Sequence, residues 1–82
     1  MEITYDIAKK RANAEKHGVS FDLVSDFDFD TAVITVDDRR DYGETRLKAM
    51  GYVGDRLHAL VFTKTTGGIR VISFRKANKR ER

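Results

Sequence analysis

No cysteine and no proline occur in this 82-residue chain, and only two histidines do. Without cysteine neither a disulfide framework nor a thiolate zinc site is available, so packing must hold the fold together. His17 and His58 fall on different predicted elements and lack metal-ligand spacing, so no metal or other cofactor is expected. There is no glycine-rich phosphate loop and no Ser-His-Asp order. No apolar run approaches the length of a membrane span, and the start, Met1-Glu-Ile-Thr-Tyr5, is acidic and short of a signal-peptide core. A soluble cytoplasmic protein that makes no membrane contact is the expectation. Nothing resembles a linker, an internal repeat or a low-complexity stretch, and residues 1–82 are long enough for one modest core, which predicts a single domain.

Charge is present but unevenly placed. The net charge is +3, yet Arg75 to Arg82 alone holds five basic residues against one acidic, Glu81. From Asp22 to Asp41 there are seven aspartates and two arginines, a net of −5. A basic end suits phosphates and an acidic stretch suits a basic partner, although solvated faces explain charge runs equally well.

Local signals divide the chain. Glu2 to Tyr5 alternates and can add an edge strand. Asp6 is placed to cap a helix over Ile7 to Lys16, in which Ala8, Ala12 and Ala14 are strong formers. Lys16 and His17 bring cationic groups to the last turn, and Gly18 suits a left-handed cap. Ser20 reads as a second cap, and Phe21, Val24 and Phe27 predict a short helix reaching about Asp28. Most of Phe21, Leu23, Val24, Phe27 and Phe29 are assigned to the core. Thr31 to Val36 is the clearest isolated strand, and Asp37 to Gly43 reads as a polar loop.

The last third predicts an antiparallel meander of Arg46–Val53, Leu57–Thr63 and Ile69–Arg75. Gly54-Asp55 forms the first turn and Thr65-Thr-Gly-Gly68 the second. Pairing Val53 with Arg56 and Lys64 with Ile69 sets the faces. One face then carries Leu47, Phe62 and Val71, then Ala49, Leu60 and Ser73, then Gly51, His58 and Arg75, and packs on helices. The other carries Arg46, Thr63 and Arg70 in one row, with Lys48, Val61 and Ile72, then Met50, Ala59 and Phe74. Arg46 and Arg70 are close enough in this register to share one anion, though a solvated row of arginine stems is the plainer reading. Because strand side chains alternate, a slip of one residue would exchange the faces. Lys76 to Arg82 lacks an apolar stripe and is expected to be a basic tail or a short helix.

Three motifs in this order, Asn13-Ala-Glu-Lys-His-Gly-Val-Ser-Phe21, Asp41-Tyr-Gly-Glu-Thr-Arg46 leading to Gly51, and Arg70-Val-Ile-Ser-Phe-Arg-Lys-Ala77 with Glu81-Arg82, resemble the BrnT family of bacterial type II toxins. The resemblance implies a RelE-like α+β fold, with N-terminal helices packed on a twisted antiparallel sheet. It also implies a metal-independent endoribonuclease that arrests growth. The implied partner is a BrnA-like antitoxin with a ribbon-helix-helix end, and operator DNA is met only through the repressing toxin–antitoxin complex. The chain departs from the pattern at Ile7, where relatives carry proline, and at Leu47, where an aromatic is common. Relatives also often extend past the equivalent of Arg82 into a longer helix.

Metal-free RNA cleavage needs deprotonation of the 2′-OH, stabilisation of phosphorane charge, and protonation of the leaving oxygen. Arginine suits the second task, because its planar fork binds phosphate oxygens and keeps its charge. Glu44 lies two residues before Arg46 and so on the same face, as a base or as the residue that orients an arginine. The resemblance carries Glu44 and Arg46 as functional positions, with Arg70, Ser73 and Arg75 as further candidates. Lys16, His17, Lys79 and Arg80 are candidates for drawing in the RNA backbone, although helix capping also explains His17. His58 reads as a hydrogen-bonded core histidine. A non-catalytic nucleic-acid- or partner-binding module uses the same arginines without cleavage. Met50, Ile72 and Phe74 are the expected apolar docking points for the antitoxin.

Overall fold

A computed structural model describes all residues, 1–82. The order of elements is β1 (Glu2–Thr4), α1 (Ile7–His17), a 3₁₀ helix (Phe21–Asp26), β2 (Val33–Asp37), β3 (Arg46–Val53), β4 (Arg56–Lys64) and β5 (Gly68–Lys76). The five strands form one sheet in the order β1-β5-β4-β3-β2. Four run antiparallel to their neighbours, and β1 joins the edge parallel to β5. The result is an α+β fold, in which the expected antiparallel strands gain β1 as a parallel edge strand and the sheet is mixed. A side chain at Gly68 would run into the Glu2 backbone, so glycine there lets β1 begin its pairing.

The caps follow the sequence. Asp6 accepts from the Lys9 N–H at 3.1 Å, and Gly18 adopts φ 70° with its N–H on the Ala14 carbonyl. Ser20 caps the next helix by accepting from the Asp22 N–H. That helix is 3₁₀ and stops at Asp26, short of the expected Asp28. Its apolar residues recur every third position, and a 3₁₀ helix has three residues per turn, so Phe21 and Val24 fall on one line and are buried. Leu23, 40% exposed, is the one of the five apolar residues that lies outside the core.

The core lies on one face of the sheet. Val19, Phe21, Val24 and Phe27 cover Ala49, Leu60, Phe62, Ile69, Val71 and Phe74, and Phe29 packs beside them. Edge-to-face contacts run from Phe74 through Phe27 and Phe29 to Phe62, with centroids 4.8 to 6.1 Å apart. Gly51 admits this layer: a β-carbon there would meet Phe27 Cζ at 2.6 Å and Ala32 Cβ at 3.0 Å. The opposite face lacks this aromatic layer, and Ala59 and Val61 are buried there among Lys16, His17, Arg39, Lys48 and Arg75.

Both turn registers hold, with Val53 opposite Arg56 and Lys64 opposite Ile69. Between them β4 and β5 slip at Val61/Phe62, because Phe62 pairs with Val71 while Val61 pairs with Ser73. Ile72 is the extra residue of a β-bulge. Beyond it Leu60 faces Phe74, Ala59 faces Arg75 and His58 faces Lys76, so the expected rows are corrected by one position. Phe74 moves into the core at 0% exposure, and Ser73 and Arg75 move to the charged face. Phe74 is thereby removed from the expected antitoxin-docking set, while Met50 and Ile72 stay partly exposed.

One polar side chain marks where the slip occurs. β1 pairs only with Gly68 to Arg70, which leaves the rest of that edge of β5 open. Asn13 of α1 closes it. Its Nδ2 donates to the Phe74 carbonyl at 2.7 Å and to the Val19 carbonyl at 3.1 Å, and its Oδ1 accepts from the Phe74 N–H at 3.1 Å. Asn13 is the one buried residue of α1.

Candidate nucleic-acid site on the open sheet face

The site begins with three residues that alternation and register bring together. Thr63 stands opposite Arg70, and Arg46 enters β3 on the other side of Thr63. Glu44, just before β3, reaches between the arginines. Its carboxylate accepts from Arg70 Nη2 at 2.7 and 2.9 Å and from Arg46 Nε at 3.2 Å. The anion shared by the two guanidinium groups is therefore the protein's own. Arg46 also stacks on Tyr42, with its guanidinium carbon 4.0 Å from the ring centre. Thr63 is buried and donates to the Thr45 carbonyl, which fixes the strand end that carries Glu44.

Hydrogen bonding from Arg70, and then from Arg46, holds the Glu44 carboxyl below its ordinary range. A carboxylate stabilised in this way is a weakened proton acceptor, so the geometry fits orienting the arginines better than abstracting a proton.

A second group lies further along the same face. Lys16, His17, Arg39, Lys48, Ser73 and Arg75, with Ala59 and Val61 as floor, line a cleft of about 260 Å³. The bulge put Ser73 and Arg75 here, and the C-terminal end of α1 contributes Lys16 and His17. Burial is the main cause that lowers the pKa of His17, followed by the charges of Lys16 and Arg75, which keeps the imidazole neutral near pH 7. Arg39 is positioned by Asp37, which is buried at the end of β2 and accepts from Arg39 Nε and Nη2 at 2.7 and 2.9 Å. Asp37 thus belongs to the strand and not to the polar loop assigned to it.

Glu81 engages two residues of the cleft wall. Its oxygens accept from Arg75 Nη1 and Nη2 at 2.7 and 2.9 Å, and from Lys48 Nζ at 3.3 Å. The tail that carries it is neither a free arm nor a helix. Ala77 is buried and donates to the Leu57 carbonyl, and the Asn78 side chain accepts from the N–H groups of Arg80 and Glu81. Lys79 and Arg80 are exposed on this turn and stay outside the cleft.

Arg75, the Asn78 N–H and Lys48 hold the Glu81 pKa at about 2, against an ordinary 4.5. A carboxyl depressed on folding stabilises the fold above its unfolded pKa and loses that contribution as pH falls through the folded value. Stability should therefore decline between about pH 5 and pH 2. In acid-dependent urea titrations, Glu81→Gln should remove on the order of 2 kcal/mol of that decline, after allowance for solvent screening.

Sequence alone gave Glu44, Arg46 and Arg70 as a group, and the structure assembles them. It brings Lys16, His17, Ser73 and Arg75 into one cleft and leaves Lys79 and Arg80 apart. Arg39, Lys48, Asp37 and Glu81 were missed. Lys48 carried a signal, since it follows Arg46 by two on the same face. Glu81 stood in the third family motif without a role, and Asp37 and Arg39, a local pair, reach the site only when β2 lies beside β3. His58 is the expected core histidine, its Nδ1 2.9 Å from the Arg56 carbonyl and its ring stacked on Phe74. No three His, Asp or Glu side chains converge as a metal-holding group, and no helix is long and apolar enough to cross a membrane.

A one-sided core beneath an arginine-lined sheet face makes this a small α+β protein. A family model described as "Ribonuclease toxin, BrnT, of type II toxin-antitoxin system" matches residues 5–81, and the chain belongs to that family. It is a type II toxin with ribonuclease activity, which gives it RNA as substrate and an antitoxin as partner. No curated protein matches the chain.

Proposed function

We propose that the protein is a metal-independent endoribonuclease whose centre is the Arg46–Glu44–Arg70 group. The observation that carries this reading is the pair of guanidinium groups converging on one carboxylate at 2.7 to 3.2 Å on an open face. A scissile phosphate taken between Arg46 and Arg70 meets fixed positive charge where phosphorane charge develops, so little reorganisation is needed in the transition state. Glu44 keeps the two forks oriented when RNA is absent. The attacking group is the 2′-OH: its oxygen bonds to phosphorus, the P–O5′ bond breaks, and its proton passes to the leaving 5′-oxygen by way of an acceptor that is unprotonated at working pH. His17 in the neighbouring cleft is of that kind. Lys16, Ser73 and Arg75 hold the adjoining backbone, with Lys79 and Arg80 adding attraction from the tail.

Residues 1–82 act in this reading as one domain, in the cytoplasm. The antitoxin is a BrnA-like ribbon-helix-helix protein, and the toxin reaches operator DNA only within that complex, where it contributes to repression of their own promoter. Incubation of purified protein with single-stranded RNA in EDTA tests the activity. Cleavage should persist and leave 2′,3′-cyclic phosphate ends, as attack by the 2′-OH requires. Loss of cleavage on chelation, or products with ordinary 3′-hydroxyl ends, would refute the mechanism. RNA binding without any turnover would make this chain a binding module.

A further inference from the structure

The Lys48–Arg75 cleft has more donors than Glu81 uses. Glu81 bonds there to Arg75 and Lys48 and to its own turn at the Asn78 N–H. Lys16, His17, Arg39 and Ser73 line the same cleft and make no bond to it. A guanidinium fork binds the two terminal oxygens of a phosphodiester as it binds a carboxylate, with the same single negative charge. A phosphodiester in this position would reach the donors that Glu81 leaves unused. The anchoring of the tail is slight: after Ala77 no residue is buried, and the turn is held by Asn78 and the Glu81 ion pairs.

We infer that this cleft is a second RNA-phosphate site, and that Glu81 is a built-in anion which holds two of its donors, Lys48 and Arg75, until a backbone phosphate takes them over and releases the tail. The inference rests on the ribonuclease reading for its substrate class. Arg46 and Lys48 are two residues apart on one face of β3, roughly 7 Å along the strand, so the cleft takes a phosphate neighbouring the one between Arg46 and Arg70. Glu81 competes as a tethered ligand, whose effective concentration over so short a connection is on the order of millimolar. Its removal should therefore tighten binding without adding a contact.

The test uses the full chain and a fluorescent 2′-O-methyl oligoribonucleotide, which cannot be cleaved by 2′-OH attack. Anisotropy titrations compare wild type, Glu81→Gln, Glu81→Gln/Arg75→Gln and Glu15→Gln. Glu15 is exposed on α1, and its substitution removes the same charge away from the cleft. The expected result is about tenfold tighter binding for Glu81→Gln, little change for Glu15→Gln, and no gain for the double variant. Equal gains in Glu81→Gln and Glu15→Gln would reduce the effect to net charge and overturn the inference. A gain for inorganic phosphate but not for the oligonucleotide would overturn the RNA assignment, as would a gain confined to acidic peptides of the antitoxin.

Should Glu81→Gln not fold, NMR of the wild type decides. Binding of the oligonucleotide should shift the Arg75 side chain and the amides of Asn78 to Glu81, and static tail amides would overturn the displacement. Cleavage is read separately. If wild type cleaves no RNA yet Glu81→Gln still binds tighter, the cleft stands and the Arg46 centre falls.

Discussion

Arg46→Ala is expected to lower the rate of RNA cleavage about a hundredfold or more, at unchanged substrate binding within a few-fold. Loss of one preorganised donor to developing charge has that scale of effect. Arg46 is held in place by Glu44 and by the Tyr42 ring, so its fork is fixed before substrate arrives. Arg70 remains in the variant, as does the positive cleft at Lys48 and Arg75, and these maintain the attraction for RNA. The loss should therefore fall on the chemical step. Arg46→Lys restores charge without the planar fork and should recover only part of the rate. Single-turnover cleavage by variants of matched melting temperature checks this. A rate for Arg46→Ala within threefold of wild type would move the centre away from this row.

Asn13→Ala should be the most damaging truncation within α1, costing about 3 kcal/mol. The carboxamide satisfies the Phe74 N–H, the Phe74 carbonyl and the Val19 carbonyl, all by side-chain bonds of 2.7 to 3.1 Å. Each backbone group left buried without a partner costs roughly 1–3 kcal/mol, and entering water repairs part of that. Apolar contacts do little to compensate, because the other residues of α1 are exposed or only partly buried. For a small protein with a total stability of about 5–10 kcal/mol, the melting temperature should fall by roughly 15 °C. Asn13→Asp should fare no better, since it exchanges the amide donor for a charge beside two carbonyls. A melting temperature within about 3 °C of wild type for Asn13→Ala would show that another contact holds α1 to β5.

Asn13 also links the two predictions. It bonds to Phe74 just past the Ile72 bulge, and the bulge places Ser73 and Arg75 on the face that carries Arg46 and Arg70. A strand without the slip would bury Arg75 and expose Phe74. Two features oppose that arrangement: the aromatic contacts of Phe74 with Phe27 and His58, and the bonds of Asn13.

What the sequence determined by itself is the local structure. Asp6, Gly18 and Ser20 cap their helices by bonds to neighbours within a few residues, and Gly54 and the Thr65–Gly68 turn set the strand pairings nearest to them. Alternation from those turns is enough to align Glu44, Arg46, Thr63 and Arg70, because all four lie close to a strand end. Tertiary structure decided the rest. The bulge at Val61/Phe62 answers to Asn13, 61 residues before Phe74, and to the volume of Phe74 in a core that no turn residue encodes. Glu81 meets Lys48 across 33 residues, and Asp37 acquires its buried place only when β2 lies beside β3. Such contacts depend on chain closure and burial rather than on neighbouring residues, so periodicity and propensity carry no trace of them.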